Sequence, residues 1–165
     1  MWRILAILGG VSGAVALSQF PEFSQQYLQR LAGKVDALSQ IAVDFDATAA
    51  KNGRSREQAL TQMTGTPLLV DQQADQRAVL ARAAVLADNL ATLRAANPLA
   101  RLTMPQRFGD TETLAATYAD FRPAIPATSD GAITAGIGYM AGWSGVALLW
   151  RIISFPFRSR RRRYA

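Results

Sequence analysis

Every acidic residue of this chain lies between Glu22 and Asp130, and on either side of that window stands a stretch with no charge at all, Ile4 to Phe20 and Gly131 to Trp150. At a rise of about 1.5 Å per residue these stretches make helices of roughly 25 and 30 Å, matching a hydrocarbon core of about 30 Å. An uncharged helix at each end has no polar face to turn to water, so both are predicted to cross a bilayer, with the charged segment between them on one side of it. The window from 22 to 130 is close to neutral, so the net charge of +6 falls on Arg3, Arg151, Arg158, Arg160, Arg161, Arg162 and Arg163, all close to the apolar stretches.

That placement predicts an orientation. Cytoplasmic flanks accumulate Lys and Arg, so Arg3 and the Arg158 to Arg163 cluster put both termini in the cytoplasm and the middle of the chain outside it. The expected layout is a first transmembrane helix over residues 1–20, an exported helical domain over 21–128, a second transmembrane helix over 129–153 and a basic cytoplasmic tail over 154–165. Arg151 can snorkel to headgroups, and Trp143, Trp150, Phe155 and Phe157 suit an interfacial aromatic belt. A competing reading makes residues 1–20 a cleaved signal peptide, since Arg3 precedes an apolar core and Ala14-Val15-Ala16 resembles a small-x-small cleavage site. In either case the second span anchors an exported domain.

Composition narrows the chemistry. The chain has no Cys and no His, which removes disulfides, thiolate metal sites, Cys nucleophiles, the commonest metal ligand and the commonest general base. The exported domain must then hold together by packing, and its wealth of Ala, Leu, Gln and Arg favours helices.

Pro21 is expected to break the first helix or to begin a new one. After it, Leu28, Leu31, Val35, Leu38, Ala42, Phe45 and Ala49 recur at alternating spacings of three and four, a seam of coiled-coil type. Gly53 is the predicted C-cap, and Ser55 with Gln58 reads as a capping box for a short helix through Met63. A second long helix is expected from Pro67 or Asp71 to Ala96, with Val79, Ala83, Leu86, Leu90 and Leu93 on its seam and Asn97-Pro98 as its stop. A short helical piece follows around Leu99 to Met104. Asp110 is the expected cap of a final helix through Phe121, with Leu114, Tyr118 and Phe121 on one face, and Arg122 to Pro126 are predicted to be extended. The expected fold is an all-α membrane protein in which two transmembrane helices flank an exported antiparallel helical hairpin.

The blocks Leu17-Ser18-Gln19-Phe20-Pro21-Glu22-Phe23 and Gln26-Tyr27-Leu28-Gln29-Arg30-Leu31, with Asp44-Phe45-Asp46, Asp120-Phe121-Arg122-Pro123 and the glycine-rich final span, carry a resemblance over nearly the whole chain. In these the sequence resembles a bacterial inner-membrane family, domain of unknown function 2937. The resemblance implies a two-pass protein of the bacterial inner (cytoplasmic) membrane, and it brings neither catalytic residues nor a cofactor. The arginine tail stands apart from it.

Several features invite a functional reading. Gly131, Ala135, Gly138, Gly142 and Gly145 line one side of the second span, and Gly9 and Gly13 repeat the spacing in the first. Such glycines let backbones approach closely, either between the two spans or against a partner, and Tyr139 and Trp143 form an aromatic ridge for lipid or a partner subunit. Phe20, Pro21, Glu22 and Phe23 leave the first span while Phe121, Arg122 and Pro123 approach the second, which predicts a stiff collar in which Glu22 and Arg122 pair or stand as independent interfacial charges. Arg158, Arg160, Arg161, Arg162 and Arg163 are expected to set topology and hold anionic lipid, at about 1 kcal/mol per residue. Nucleic acid is not expected, because the run lacks aromatic interleaving. Asp44 and Asp46 point to different faces of a helix and read as solvated rims of the seam. Asp71 and Asp75 share a face but suit a helix start on electrostatic grounds alone. No catalytic, cofactor or metal site is expected.

Two function classes follow. One is a non-catalytic membrane accessory or scaffold protein that contacts a larger membrane complex, or further copies of itself, through its helical domain and glycine-lined spans. The other is a periplasmic sensor or binding module, which would need a separate output partner because only a short tail follows Arg151. An enzyme is not expected.

Overall fold

The computed structural model describes residues 2–125 and 128–161, with side chains through residue 154. Every regular element among the described residues is helical, and the chain divides into two compact units, one formed by Met1–Ser24 with Phe121–Ala165 and the other by Gln25–Asp120.

The first unit contains α1 (Trp2–Ser18), the opening turn of α2 (Phe20–Lys51) and α7 (Ser129–Arg161). Pro21 has no N–H to offer the Leu17 carbonyl, so the regular ladder is interrupted there and Gln19 alone separates the two helices. The passage is tight: the Gln19 N–H donates to Ala16 at 3.3 Å and the Phe23 N–H donates to Gln19 at 2.9 Å. Pro21 thus takes the second of its two expected roles, sitting in the first turn of a new helix. α7 continues past residue 153, where the span was expected to end, and through Pro156 to Arg161. Two helical stretches are long and apolar enough to cross a membrane, within Trp2–Lys51 and Ser129–Ser154. Neither is the buried core helix of a soluble protein, because Ile4, Leu8 and Val15 on α1 and Ile133, Met140 and Leu148 on α7 are all exposed. Arg122 to Ile125 form no helix, as the prolines require, and Pro126 lies outside the described residues.

The second unit contains the rest of α2, α3 (Arg56–Thr61), α4 (Pro67–Ala95), α5 (Pro98–Arg101), a 3₁₀ turn at Pro105–Phe108 and α6 (Thr111–Ala119). Local chemistry sets these boundaries. Gly53 adopts φ +66 just beyond α2, which L side chains resist. Ser55 and Gln58 close a reciprocal capping box on α3. Thr66, Asn97 and Asp110 accept the free backbone N–H groups at the starts of α4, α5 and α6.

Burial follows the two seams in part. Leu28, Leu31, Val35 and Ala49 on α2 are buried, as are Ala83, Leu86, Leu90 and Leu93 on α4. Leu38, Ala42, Phe45 and Val79 are only half-buried, so the middle of the seam is looser than the spacing predicts. The chain after α4 shifts the core: the Phe108 ring lies 4.8 Å from the Tyr27 ring, and Tyr27, which stands off the seam, is completely buried. α6 overturns its predicted face as well. It ends at Ala119, not Phe121, and buries Thr113 and Thr117 while Leu114 and Tyr118 are exposed. The threonines can go inside because their hydroxyls are satisfied locally, Thr113 by the Asp110 carboxylate and Thr117 by the Thr113 carbonyl at 2.7 Å.

Candidate functional site

In the first unit glycine meets glycine across α1 and α7. A Cβ added to Gly13 would collide with the Gly138 carbonyl, and one added to Gly138 or Gly142 would collide with the carbonyl of Gly13 or Gly9. One added to Gly9 would come within 2.5 Å of a Val146 methyl. α1 and α7 therefore touch backbone to backbone along Gly9, Gly13, Gly138 and Gly142, a proximity that only glycine permits. The site includes Gly10, absent from the expected stripe because it is out of the four-residue register. A Cβ there would lie 2.7 Å from Cε2 of Tyr139, whose ring closes over it. Tyr139 thus meets α1 with one ring edge and is otherwise as exposed as Trp143. Gly145 stands apart from the contact, because a Cβ at that position meets nothing within 4 Å. Thr134, four residues before Gly138 on α7 and fully buried, donates its hydroxyl to the Asp130 and Gly131 carbonyls at 2.9 and 3.0 Å, so it adds no unsatisfied polar group.

The two collar segments come together in the same unit. Phe23 and Phe121 meet edge to face at 5.6 Å between ring centres, and the Ala124 N–H donates to Gln19 Oε1 at 3.1 Å. Phe20, Pro21 and Glu22 are half-buried, whereas Arg122 and Pro123 are exposed. Of the arginine cluster, Arg158, Arg160 and Arg161 continue the α7 backbone, but their side chains lie outside the described part of the structure, as do Arg162 and Arg163 entirely.

A polar node in the second unit had no sequence signal beyond a helix cap. Asp110 Oδ2 accepts from Lys34 Nζ at 2.9 Å and Oδ1 accepts from Arg82 at 2.7 Å, and the same cations hold Glu112 at 2.6 and 3.0 Å. Asp110 also accepts from the Thr113 backbone at 3.1 Å. Burial alone would raise the Asp110 carboxyl, but the bonds from Lys34, Thr113 and Arg82 outweigh it and hold the group well below the usual carboxylate range. Lys34 answers in kind: burial would lower it, and its bonds to Asp110 and Glu112 raise it instead. Burial, and then the charge of Asp110, raise the Tyr27 phenol. That hydroxyl is enclosed near Asp110 and has no hydrogen-bond partner of ordinary geometry. Lys34 and Asp110 are 76 positions apart, too far for any local pattern to register.

The paired acids behave as solvated rims. Asp44 accepts from Gln40 at 2.9 Å, and Asp46 forms a two-bond pair with Arg56 at 2.7 and 2.5 Å. Asp71 and Asp75 are exposed near the start of α4. No group of three or more metal-ligating side chains occurs among the described residues.

A family profile described as protein of unknown function, DUF2937, matches residues 1–159. The chain belongs to this family. Residues 1–159 include α1, the whole helical unit and most of α7, so the glycine contact, the collar and the Asp110 node all fall inside the DUF2937 region, whereas Arg160 to Arg163 lie beyond it. No curated protein and no solved structure matches the chain.

Proposed function

We propose that this DUF2937 protein is a non-catalytic accessory or scaffold protein of the bacterial inner membrane. Both termini are in the cytoplasm, and a periplasmic helical domain contacts a larger membrane complex. The observation that carries the reading is the backbone contact of Gly9 and Gly13 with Gly142 and Gly138. It spends the small-residue faces of both spans on each other and makes them a fixed pair, leaving the outer faces, Trp143 and Gly145 among them, for lipid or a neighbouring subunit.

The helical domain in this proposal is an antiparallel hairpin of α2 and α4. Its support is the order of the ion pairs. Lys34 and Arg82 share Asp110, while farther along α2 Asp46 holds Arg56 and the neighbouring Glu57 holds Arg77, so partners on α4 fall in number as those on α2 rise. Purification in mild detergent at native expression, followed by identification of co-purifying proteins, tests the proposal. A membrane complex retained by the wild type and lost when Trp143→Ala and Gly145→Leu are combined is the expected result. A protein that runs alone in every mild detergent would sink it.

A further inference from the structure

α6 is inside out for a helix in water. It buries Thr113 and Thr117 and presents Leu114 and Tyr118, the latter 78% exposed, with Ala115 and Ala119 between and beside them. At 100° per residue Leu114, Ala115, Tyr118 and Ala119 fall on one continuous face, which is apolar apart from Thr111 and the Tyr118 hydroxyl. Single exposed apolar residues are ordinary on soluble domains. A short helix that hides its hydroxyls and offers its leucine and tyrosine outward is not.

We propose that this face of α6 docks on the bilayer, with Leu114 and Tyr118 seated at the level of the lipid headgroups. The inference rests on the reading that α1 and α7 cross the membrane, and three observations select lipid as the occupant. Tyr118 precedes Phe121 by three residues, which limits its reach to about 10 Å, and Phe121 belongs to the unit of the spans, where it packs on Phe23. Tyrosine combines an apolar ring with a hydroxyl that prefers water, the combination that settles at membrane interfaces. The carboxylates flanking the face are each held by a cation, Glu112 by Lys34 and Arg82 and Asp120 by Arg30 at 2.7 Å, so no uncompensated negative charge opposes anionic headgroups.

The cysteine-free chain permits a direct test on the full-length protein in phosphatidylethanolamine and phosphatidylglycerol vesicles. Tyr118→Cys, Leu114→Cys, Met140→Cys on the exposed side of α7 and Thr48→Cys on α2 are each labelled with an environment-sensitive fluorophore. They are then exposed to lipids carrying a spin label near the headgroup or in the chain, and to aqueous iodide. The expected result is quenching of the labels at 118 and 114 by the headgroup-proximal spin label, with iodide access several-fold lower than at 48. Ready iodide quenching at both positions would place the face in water and overturn the proposal. Protection from both quenchers would mean that protein covers the face, which overturns it equally. Met140→Cys keeps the two readings separable, since absence of lipid quenching there would refute membrane crossing itself, whereas quenching at 140 with none at 118 and 114 refutes only the docking of α6.

Discussion

Asp110 gathers Lys34, Arg82 and the Thr113 backbone on a side chain only 6% exposed. Asp110→Asn is expected to destabilise the protein by about 1.5–3 kcal/mol, the range for hydrogen bonds to a charged group, with the two longer cations re-solvating part of the loss. Its folded carboxyl is held below the unfolded value, so its contribution is complete above the ordinary carboxylate range of about pH 4 and is lost as pH falls below that range towards the lowered value. Melting temperature against pH should therefore fall on the acid side in the wild type and fall less steeply in Asp110→Asn. Parallel curves would remove Asp110 from the acid response. Tyr27 makes the opposite case. Its buried hydroxyl lies by the Asp110 backbone without a hydrogen bond of ordinary geometry, so Tyr27→Phe is expected to leave stability unchanged or raise it by about 1 kcal/mol, whereas a melting temperature several degrees lower would show that the hydroxyl is bonded.

The helices owe their ends to chemistry that can be read locally, and their contacts to chemistry that cannot. Gly53, the Ser55–Gln58 box, Thr66, Asn97 and Asp110 mark boundaries because each acts on backbone groups within a few residues of itself. Which glycines meet is a different matter. Gly138 and Gly145 look alike in the stripe, but only Gly138 faces a backbone. Alanine substitution separates them by sign, since Gly→Ala in a helix ordinarily stabilises by about 1 kcal/mol. Gly145→Ala should raise the detergent melting temperature slightly, and Gly138→Ala should lower it; equal effects would mean that the α1–α7 contact lies elsewhere. In the helical unit Leu93 is fully buried, so Leu93→Ala is expected to cost about 2–5 kcal/mol. Leu38→Asp, placed on a half-buried seam position, should be milder than the fully buried Leu31→Asp, and both are read as shifts in melting temperature.

For the molecule as a whole the testable statement is topology. Alkaline phosphatase fused after Ala96 should be active and the same enzyme fused after Ala165 inactive, because the positive excess lies in the flanks of the apolar stretches. The reverse pattern would overturn the orientation. The charge map, the two apolar lengths and the helix caps were legible in the chain alone, since hydropathy and capping act over one turn or one span and need no knowledge of neighbours. Family membership was legible on the same footing, from short blocks spread along the chain. Tertiary structure alone decided that Gly10 and not Gly145 joins the span contact, that α6 buries threonine and exposes tyrosine, and that Lys34 and Arg82 close on Asp110. Each of those outcomes depends on which of several equivalent faces a helix turns inward. That choice is made by the shape and charge of partners tens of residues away, so no local periodicity contains it.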